Sequence, residues 1–389
     1  MGVPGLLALL YPLMRRRSIK SFAGMRAGID GHVWLHRSLC GRDSHREHPT
    51  ELKHRSVQYM LHHANNLKRN GILPIFIFDG ASIGAKLVTE ASRRIDRDRY
   101  LARAIGLIES GHNISATEHF SRAADVTFGM VQQIIQYLRH DGFDAFVAPF
   151  EADAQLTYLI DTGCIDIVIT EDSDLAVYGS TRIIFKYDPK SQSCLEFAGS
   201  LSDIPELRSF STSACRAVCI LAGCDYGPEI RGIGIKSAID LVARSSPKDD
   251  DINIMNKHIV DSLSLRGVLS QDRGYLLQRL RVSQLVFSHQ TVFDREASRL
   301  RPMRDLAAAT FINESEQAEI GKLYNNEIAE YVHFGYMRPD IMLKNELMRY
   351  PSDIDMNAST RRDAPLKAGF YYSQALHTVV ESGRTTSYS

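Results

Sequence analysis

Two acidic pairs set 21 positions apart constrain this chain more than any other feature. The stretch from Ala148 to Tyr178 carries Glu151 and Asp153 near its start and Asp172 and Asp174 near its end. Each pair follows an apolar run with the composition of a buried strand. Ala145-Phe146-Val147-Ala148 precedes the first and Ile167-Val168-Ile169 the second. Between them, Ala152 to Ile160 has the Ala, Gln and Leu content of a helix. Strand, acidic pair, helix, strand, acidic pair predicts a parallel unit. Both pairs then lie beyond the carboxyl ends of strands, where open α/β sheets bind ligands.

The same punctuation recurs. A short strand from Met25 ends at Asp30, and the apolar run Ile72 to Phe78 ends in Asp79-Gly80. Asp225 follows a helical segment from Ala214 to Leu221. Carboxylates gathered at one place repel, and each raises the pKa of the others. A hard cation removes that penalty, and oxygen ligands suit Mg²⁺ or Mn²⁺. Helix caps and solvated loop ends use the same residue types. The repetition at several strand ends favours a metal centre over that reading.

Composition excludes several classes. The 389 residues are enough for one large or two ordinary domains, and 44% hydrophobic with 24% charged residues is the balance of a soluble globular protein. The formal net charge is zero, so any nucleic-acid contact must come from local patches. No run is long enough to span a bilayer. Arg15-Arg16-Arg17 follows the short amphipathic helix of residues 2–14, the reverse of a signal peptide, and Leu6 stands where myristoylation needs Ser or Thr. The arginine run reads as a solvated surface segment. The six cysteines, without a CxxC pair, read as small buried thiols.

Local basic segments are present. Residues 86–103 hold Lys86, Arg93, Arg94, Arg97, Arg99 and Arg103, with Arg93 and Arg97 one helical turn apart. They read either as a solvated helix with internal ion pairs or as a basic helix over the acids that receives phosphates. Its place directly after Asp79 favours the second. His32 and His36 share one helix face beyond Asp30, either as an aromatic contact surface or as ordinary exposed histidines. Lys186 flanks a short strand from Arg182, and residues 187–211 read as a loop-rich excursion. Residues 115–140 read as one helical segment. Gly232 and Gly234 precede a helix that carries Lys236, a turn that presents backbone N–H groups to an anion. Residues 245–255 read as a polar connector, and 257–285 as helical.

With these residues in view, the chain resembles the structure-specific 5′ nucleases of the flap endonuclease/XPG family, and within them the exonuclease 1 branch. The likeness covers roughly residues 1–345. It is carried by Met-Gly-Val-Pro-Gly-Leu at the start, Trp34-Leu35-His36, the run from Ala148 to Leu159, Thr170-Glu-Asp-Ser-Asp-Leu, and Leu221-Ala-Gly-Cys-Asp-Tyr followed by Arg-Gly-Ile-Gly. The resemblance implies an α/β fold: a central, mostly parallel sheet flanked by helices (PIN-like), with a helical arch and a C-terminal helix–two-turn–helix portion. The expected divisions are an N-terminal nuclease region 1–99, arch and connector 100–137, an internal nuclease region 138–225, a DNA-binding region 226–345 and a polar tail 346–389.

By the same resemblance Asp30, Asp79, Glu151, Asp153, Asp172, Asp174 and Asp225 hold two Mg²⁺ ions, with Mn²⁺ as a substitute. Glu151, Asp153 and Asp79 would hold mainly the first ion, with Asp30 acting through water; Asp172, Asp174 and Asp225 would hold the second. Lys86 and Arg93 would hold the scissile phosphate, and His36 would act as a wedge at the DNA junction. Gly2, His32, Lys186, Gly232, Gly234 and Lys236 would be further DNA contacts, with K⁺ bound near the glycine turn. The implied activity is 5′→3′ exonucleolytic and flap-endonucleolytic hydrolysis of DNA in repair. The substrates would be duplexes with a 5′ recessed end, nick, gap or 5′ flap. Mismatch-repair proteins are implied partners, and a monomer in the nucleus is expected. Two alternatives stay open: chiefly a flap endonuclease, or a non-catalytic scaffold that binds DNA ends.

Overall fold

A computed structural model describes residues 2–39, 49–245, 251–265, 272–306 and 311–337. Seven strands form one sheet: β1 (Arg15–Ser18), β2 (Arg26–Asp30), β3 (Leu73–Phe78), β4 (Asp144–Val147), β5 (Ile167–Ile169), β6 (Arg182–Asp188) and β7 (Ser193–Ala198). Their order is β1-β7-β6-β5-β2-β3-β4. Neighbours from β6 to β4 run parallel, and β7 is antiparallel to both β6 and β1. From β2 the chain steps outward through β3 and β4, then crosses back to lay β5 on the other side of β2. The order reverses between β2 and β5, and an open parallel sheet gapes at such a reversal.

Strand periodicity decides what each face buries. Phe76 and Phe78 of β3 and Ile167 and Ile169 of β5 pack with Trp34, Met60, Leu67, Ile134 and Leu138. Ile77 and Val168, one residue out of phase, pack on the opposite face with Leu156, Val218, Ile220, Leu276 and Leu280. Helices Gly31–Leu39, Pro49–Arg69 and Phe128–His140 thus cover one face. Ala152–Asp161, Thr212–Ala222 and Arg273–His289 cover the other. Each fully buried Leu, Ile or Phe contributes roughly 1.5–3 kcal/mol.

Four sequence expectations differ from this fold. Arg15-Arg16-Arg17 is exposed as expected, but it forms the edge strand β1. Arg17 and Arg182 flank Glu196 at 3.6 and 3.1 Å and lie over the Phe22 ring. A charged edge discourages pairing with another chain, which explains how so basic a run serves as a strand. Residues 187–211 contain β7, which closes an antiparallel hairpin with β6. The segment 115–140 is two helices, Asn113–Ala123 and Phe128–His140, the second capped by the Thr127 hydroxyl. The polar tail, Cys40 and the middle of the 245–255 connector lie outside the described residues. A helix from Ile252 to Leu265 begins inside that connector.

After the helix Arg273–His289, a hairpin of β8 (Thr291–Asp294) and β9 (Arg299–Pro302) returns onto the body. Gln155 meets both the N–H and the C=O of Phe293, at 2.8 and 3.0 Å, and pins it there. The last described helix, Asn326–His333, docks through His333. This imidazole is stacked on Phe146, with centroids 4.8 Å apart and planes 3° from parallel. Its Nδ1 donates to the Val147 carbonyl at 3.1 Å, which leaves Nε2 buried as a bare acceptor without a partner among the described atoms.

Burial lowers the His333 pKa to about 3. The unfolded chain takes up this proton near pH 6.5 and the folded chain does not, so the contribution is complete above about pH 6.5 and is lost as pH falls towards 3. Each pH unit in that window costs about 1.4 kcal/mol. Denaturant melts at pH 7 and pH 4.5 will show a fall in stability that is smaller by about 2–3 kcal/mol in His333→Phe. Equal falls in the two proteins would show that His333 is not the titrating group.

Candidate active site

The sheet brings six of the seven acids to the carboxyl ends of β2, β3, β4 and β5, around the reversal point. Asp30 is the last residue of β2 and Asp79 follows β3 directly. Glu151 stands at the N-terminal boundary of the helix after β4, its side chain turned to other partners, with Asp153 in the first turn. Asp172 precedes Asp174, the first residue of the short helix after β5. Asp225 comes from a separate segment, three residues past the helix Thr212–Ala222. All seven form one electrostatic set. Asp153 feels Asp172, Asp30, Asp174 and Asp79, and Asp174 feels Asp172 and Asp225.

Burial and mutual repulsion shift these acids upward. Asp30 is pushed up to about 7 by desolvation, then by Asp79. Burial lifts Glu151 to about 7 although Lys86 pulls it back. Desolvation with neighbouring carboxylates drives Asp153 and Asp174 well above the usual carboxylate range, and burial raises Asp172. The local cations answer this repulsion. Lys86 is nearly buried. Its ammonium bonds the Glu151 carboxylate and stands 3.9 Å from Asp225. Burial works against that charge, but Glu151, Asp79 and Asp225 outweigh it and hold Lys86 protonated. Arg93 reaches the other oxygen of Asp225 at 2.5 Å.

Among the described residues no three acid, His or Cys side chains stand in a ready-made metal-holding arrangement. Their oxygens are engaged elsewhere. Asp79 accepts from the Ala152 amide at 2.8 Å, Asp174 from Val3 at 2.9 Å and Asp172 from Asp174 at 3.0 Å. Glu151 and Asp225 hold Lys86 and Arg93. The donor set nevertheless fits a hard divalent ion. It is all carboxylate oxygen, with Asp30, Glu151 and Asp174 buried and the others half-buried, and its negative charges outnumber the nearby cations.

The other sequence candidates divide. Gly2, at φ +96°, lies against Asp172 and Ser173, and any Cβ there would clash with both. The Val3 amide beside it caps Asp174, so the start of the chain is part of the site. His32 accepts the Asp79 amide on Nδ1 at 2.9 Å and meets Phe78 edge-on, so it braces Asp79. His36 lies one turn on, beside Asp125 and Arg97. Lys186 stands apart from the acids, on β6, in a left-handed conformation (φ 53°) held by Glu171, which Arg37 also pairs. Gly232, Gly234 and Lys236 sit at the exposed start of helix Ile235–Ser245, with open space around both glycines.

Two residues went unread in the sequence. The Thr170 hydroxyl accepts from the Asp172 amide at 3.0 Å and reaches Asp30 at 3.4 Å. Thr89 donates to the Asp225 carbonyl at 2.7 Å, across 136 positions. Thr170 had a signal, a hydroxyl at a strand end two residues before an acid. Thr89 had none.

The raised acids give a stability test. A carboxylate held up in the folded state stays neutral while its unfolded counterpart ionises, so it destabilises progressively as pH rises above about 4. In EDTA, Asp153→Asn will be more stable than wild type at pH 8 by at least about 1 kcal/mol, with the gain fading towards pH 4. Thermal melts read this directly. A variant less stable than wild type at every pH would remove repulsion as the governing effect.

Comparisons with known proteins place the chain in a family. Residues 1–100 match the XPG N-terminal domain and residues 142–225 the XPG I-region. "Exonuclease 1" of Arabidopsis thaliana is 34% identical over 347 residues, 87% of this chain and 44% of its own length. "DNA damage-inducible protein DIN7" of Saccharomyces cerevisiae is 30% identical over 327 residues, 83% of this chain and 73% of its own. The chain spans about half the length of the exonuclease relatives it matches, 44% and 57% in two of them. The solved catalytic core of Rad2 in complex with DNA substrate shares the fold, with TM-score 0.52 and 18% identity over 86% of this chain and all of that one. Two domains of one family in sequence order, on a sheet of the same architecture and with a relative matched over most of its length, establish that this chain belongs to the XPG family, in its exonuclease 1 branch.

Proposed function

We propose that the chain is a Mg²⁺-dependent 5′→3′ double-stranded DNA exonuclease with 5′ flap endonuclease activity. One observation carries this reading. Seven carboxylates from five chain segments meet at the sheet's reversal point, and Lys86 and Arg93 are delivered onto two of them. The relatives' names support a DNA substrate, as does the DNA bound to the Rad2 core.

The chain's residues would act as follows. The seven acids, from the ends of β2, β3, β4 and β5 and from the Asp225 loop, would hold two divalent ions. Those ions, when bound, supply the charge that activates water and stabilises the leaving 3′ oxygen. Lys86 and Arg93 now rest on Glu151 and Asp225, which cations would neutralise in their place. Released from those carboxylates, both side chains can pair with the scissile phosphate and stabilise charge that develops on it. His32 keeps the Asp79 backbone in place through its amide.

The wider reading follows the family. Residues 1–99 and 138–225 would form the nuclease body, 100–137 the rest of the arch and its connector, and 226–345 the duplex-binding part. Gly2, His36, Lys186, Gly232, Gly234 and Lys236 would contact DNA, with K⁺ at the glycine turn and Mn²⁺ able to replace Mg²⁺. The exposed backbone at Gly232 and Gly234 supports that approach. A nuclear repair role, with mismatch-repair proteins as partners, belongs to the same proposal. No described helix is long and apolar enough to cross a membrane.

Digestion of 5′-labelled and 3′-labelled recessed-end duplexes in Mg²⁺ tests it. Nucleotides will leave stepwise from the 5′ end, EDTA will stop the reaction, and Asp174→Ala will slow it by about a thousandfold or more. Cleavage only of 5′-flapped substrates would make the protein chiefly a flap endonuclease. Tight DNA binding with no cleavage of any substrate would overturn the enzyme reading in favour of a scaffold.

A further inference from the structure

Lys86 and Asp225 are 139 positions apart, yet one side chain outside the acid set ties their backbones together. Arg279 lies two turns into the helix Arg273–His289, nearly buried. Its Nη2 donates to the carbonyl of Ala85, the residue before Lys86, at 2.7 Å. The same nitrogen donates to the carbonyl of Tyr226, the residue after Asp225. Nη1 meets Glu319 at 3.4 Å, which fixes the guanidinium from behind. One turn further along the helix, the Ser283 hydroxyl shares its one proton between the Arg279 carbonyl at 2.7 Å and the same Tyr226 carbonyl at 2.9 Å.

The surroundings make this fork a stiff spacer. Glu319 belongs to the helix Glu314–Ile320, which presses on the loop carrying Lys86. A Cβ on Gly84 would come 3.0 Å from the Glu319 Cα. From the opposite side Thr89 holds the Asp225 carbonyl, and Arg93 its carboxylate. Buried arginines commonly satisfy loop carbonyls for stability alone. Here the two carbonyls flank a metal-ligand candidate and a phosphate-binding candidate. Both bonds leave the single Nη2, and the guanidinium plane that aims its two N–H groups is held through Nη1 by Glu319; a lysine ammonium has donors enough for two carbonyls but no second arm to fix its direction.

Resting on the nuclease reading above, we propose that Arg279 is a positioning residue for the cleavage reaction. It sets the separation between the Lys86 ammonium and the Asp225 carboxylate, so that the base of the arch and the last acid address one phosphate together. Arg279 itself touches carbonyls and Glu319 and need not meet DNA. Its loss should therefore act on the chemical step and on divalent-ion binding, with duplex affinity largely kept.

The test compares the full chain with Arg279→Met, Arg279→Lys and Thr89→Val. Three quantities are read: the single-turnover cleavage rate at saturating protein, the duplex dissociation constant in Ca²⁺, and the Mg²⁺ concentration that half-maximally raises the melting temperature without DNA. Arg279→Met should lower the rate about 10–100-fold and raise the Mg²⁺ midpoint, while DNA affinity changes less than about threefold. Arg279→Lys should recover part of the rate. The Arg279→Met and Thr89→Val double variant should lose less than the product of the two single losses, because both act on the Asp225 loop. A rate loss matched by an equal loss of DNA affinity, an unchanged Mg²⁺ midpoint, or fully multiplicative losses would each overturn the proposal. If Arg279→Met does not fold, Arg279→Lys is judged by the same readouts, and a wild-type rate and Mg²⁺ midpoint there would overturn it. A wild-type protein that cuts no DNA overturns the nuclease reading and this inference with it. An active wild type equalled by Arg279→Met overturns this inference alone.

Discussion

Repulsion among buried carboxylates is the constraint on which the rest of this structure depends. Asp30, Glu151, Asp153 and Asp174 lie so deep, and so near other acids, that water cannot screen them. A chain left to minimise its own free energy would not gather them. The sheet does so because its apolar strands must pair, and their carboxyl ends then converge. Lys86 and Arg93 offset part of the cost by resting on Glu151 and Asp225. This is the usual relation between a site and its scaffold: a large core tolerates a local arrangement that is unfavourable by itself.

Topology turns that tolerance into a usable place. Because the strand order reverses between β2 and β5, the segments after these two strands leave on opposite faces and open a crevice. The Asp79 and Glu151 segments line one flank, and the Asp172 and Asp174 segment the other. Second contacts then fix each acid. Thr170 bridges towards Asp30, the Val3 amide caps Asp174, and His32 holds the Asp79 backbone. The first residues of the chain serve the site for the same steric reason that Gly2 must lack a side chain.

The C-terminal third contributes from outside the sheet. The helix Arg273–His289 buries Leu276, Leu280 and Val286 against the body and carries Arg279 and Ser283 on its site-facing side. Stability and placement of the Asp225 loop therefore come from the same element. Glu319 pins the helix Glu314–Ile320 to this element, and Gln155 pins the β8–β9 hairpin to the helix Ala152–Asp161. Elements that look like an appendage in sequence order are, in space, the back wall of the candidate active site.

Much of this was legible in the residues. The strands before Asp30, Asp79, Glu151 and Asp172 stood out because buried parallel strands are short apolar runs, and the acid after each run broke that pattern abruptly. Lys86 and Arg93 were recognisable as a local basic segment, and Gly232 as a turn. Edge strands were harder to read. β1 is three arginines and a serine, because an edge strand needs only one partner and can face water, whereas β7, paired on both sides, lies in a polar stretch and buries only Cys194, Glu196 and Phe197, too broken a set to read as an apolar run. Contacts between distant segments could not be read at all. Thr89 on Asp225, His32 on Asp79 and Arg279 across Ala85 and Tyr226 join residues up to 194 positions apart, and nothing local in the chain marks them. Sequence alone determined which side chains are available at strand ends and what ion chemistry they suit, since both depend on residue type and local periodicity. Only the tertiary structure decided which of them share a charge, which are braced and which stand apart, because those are distances set by packing between segments that the chain order does not relate.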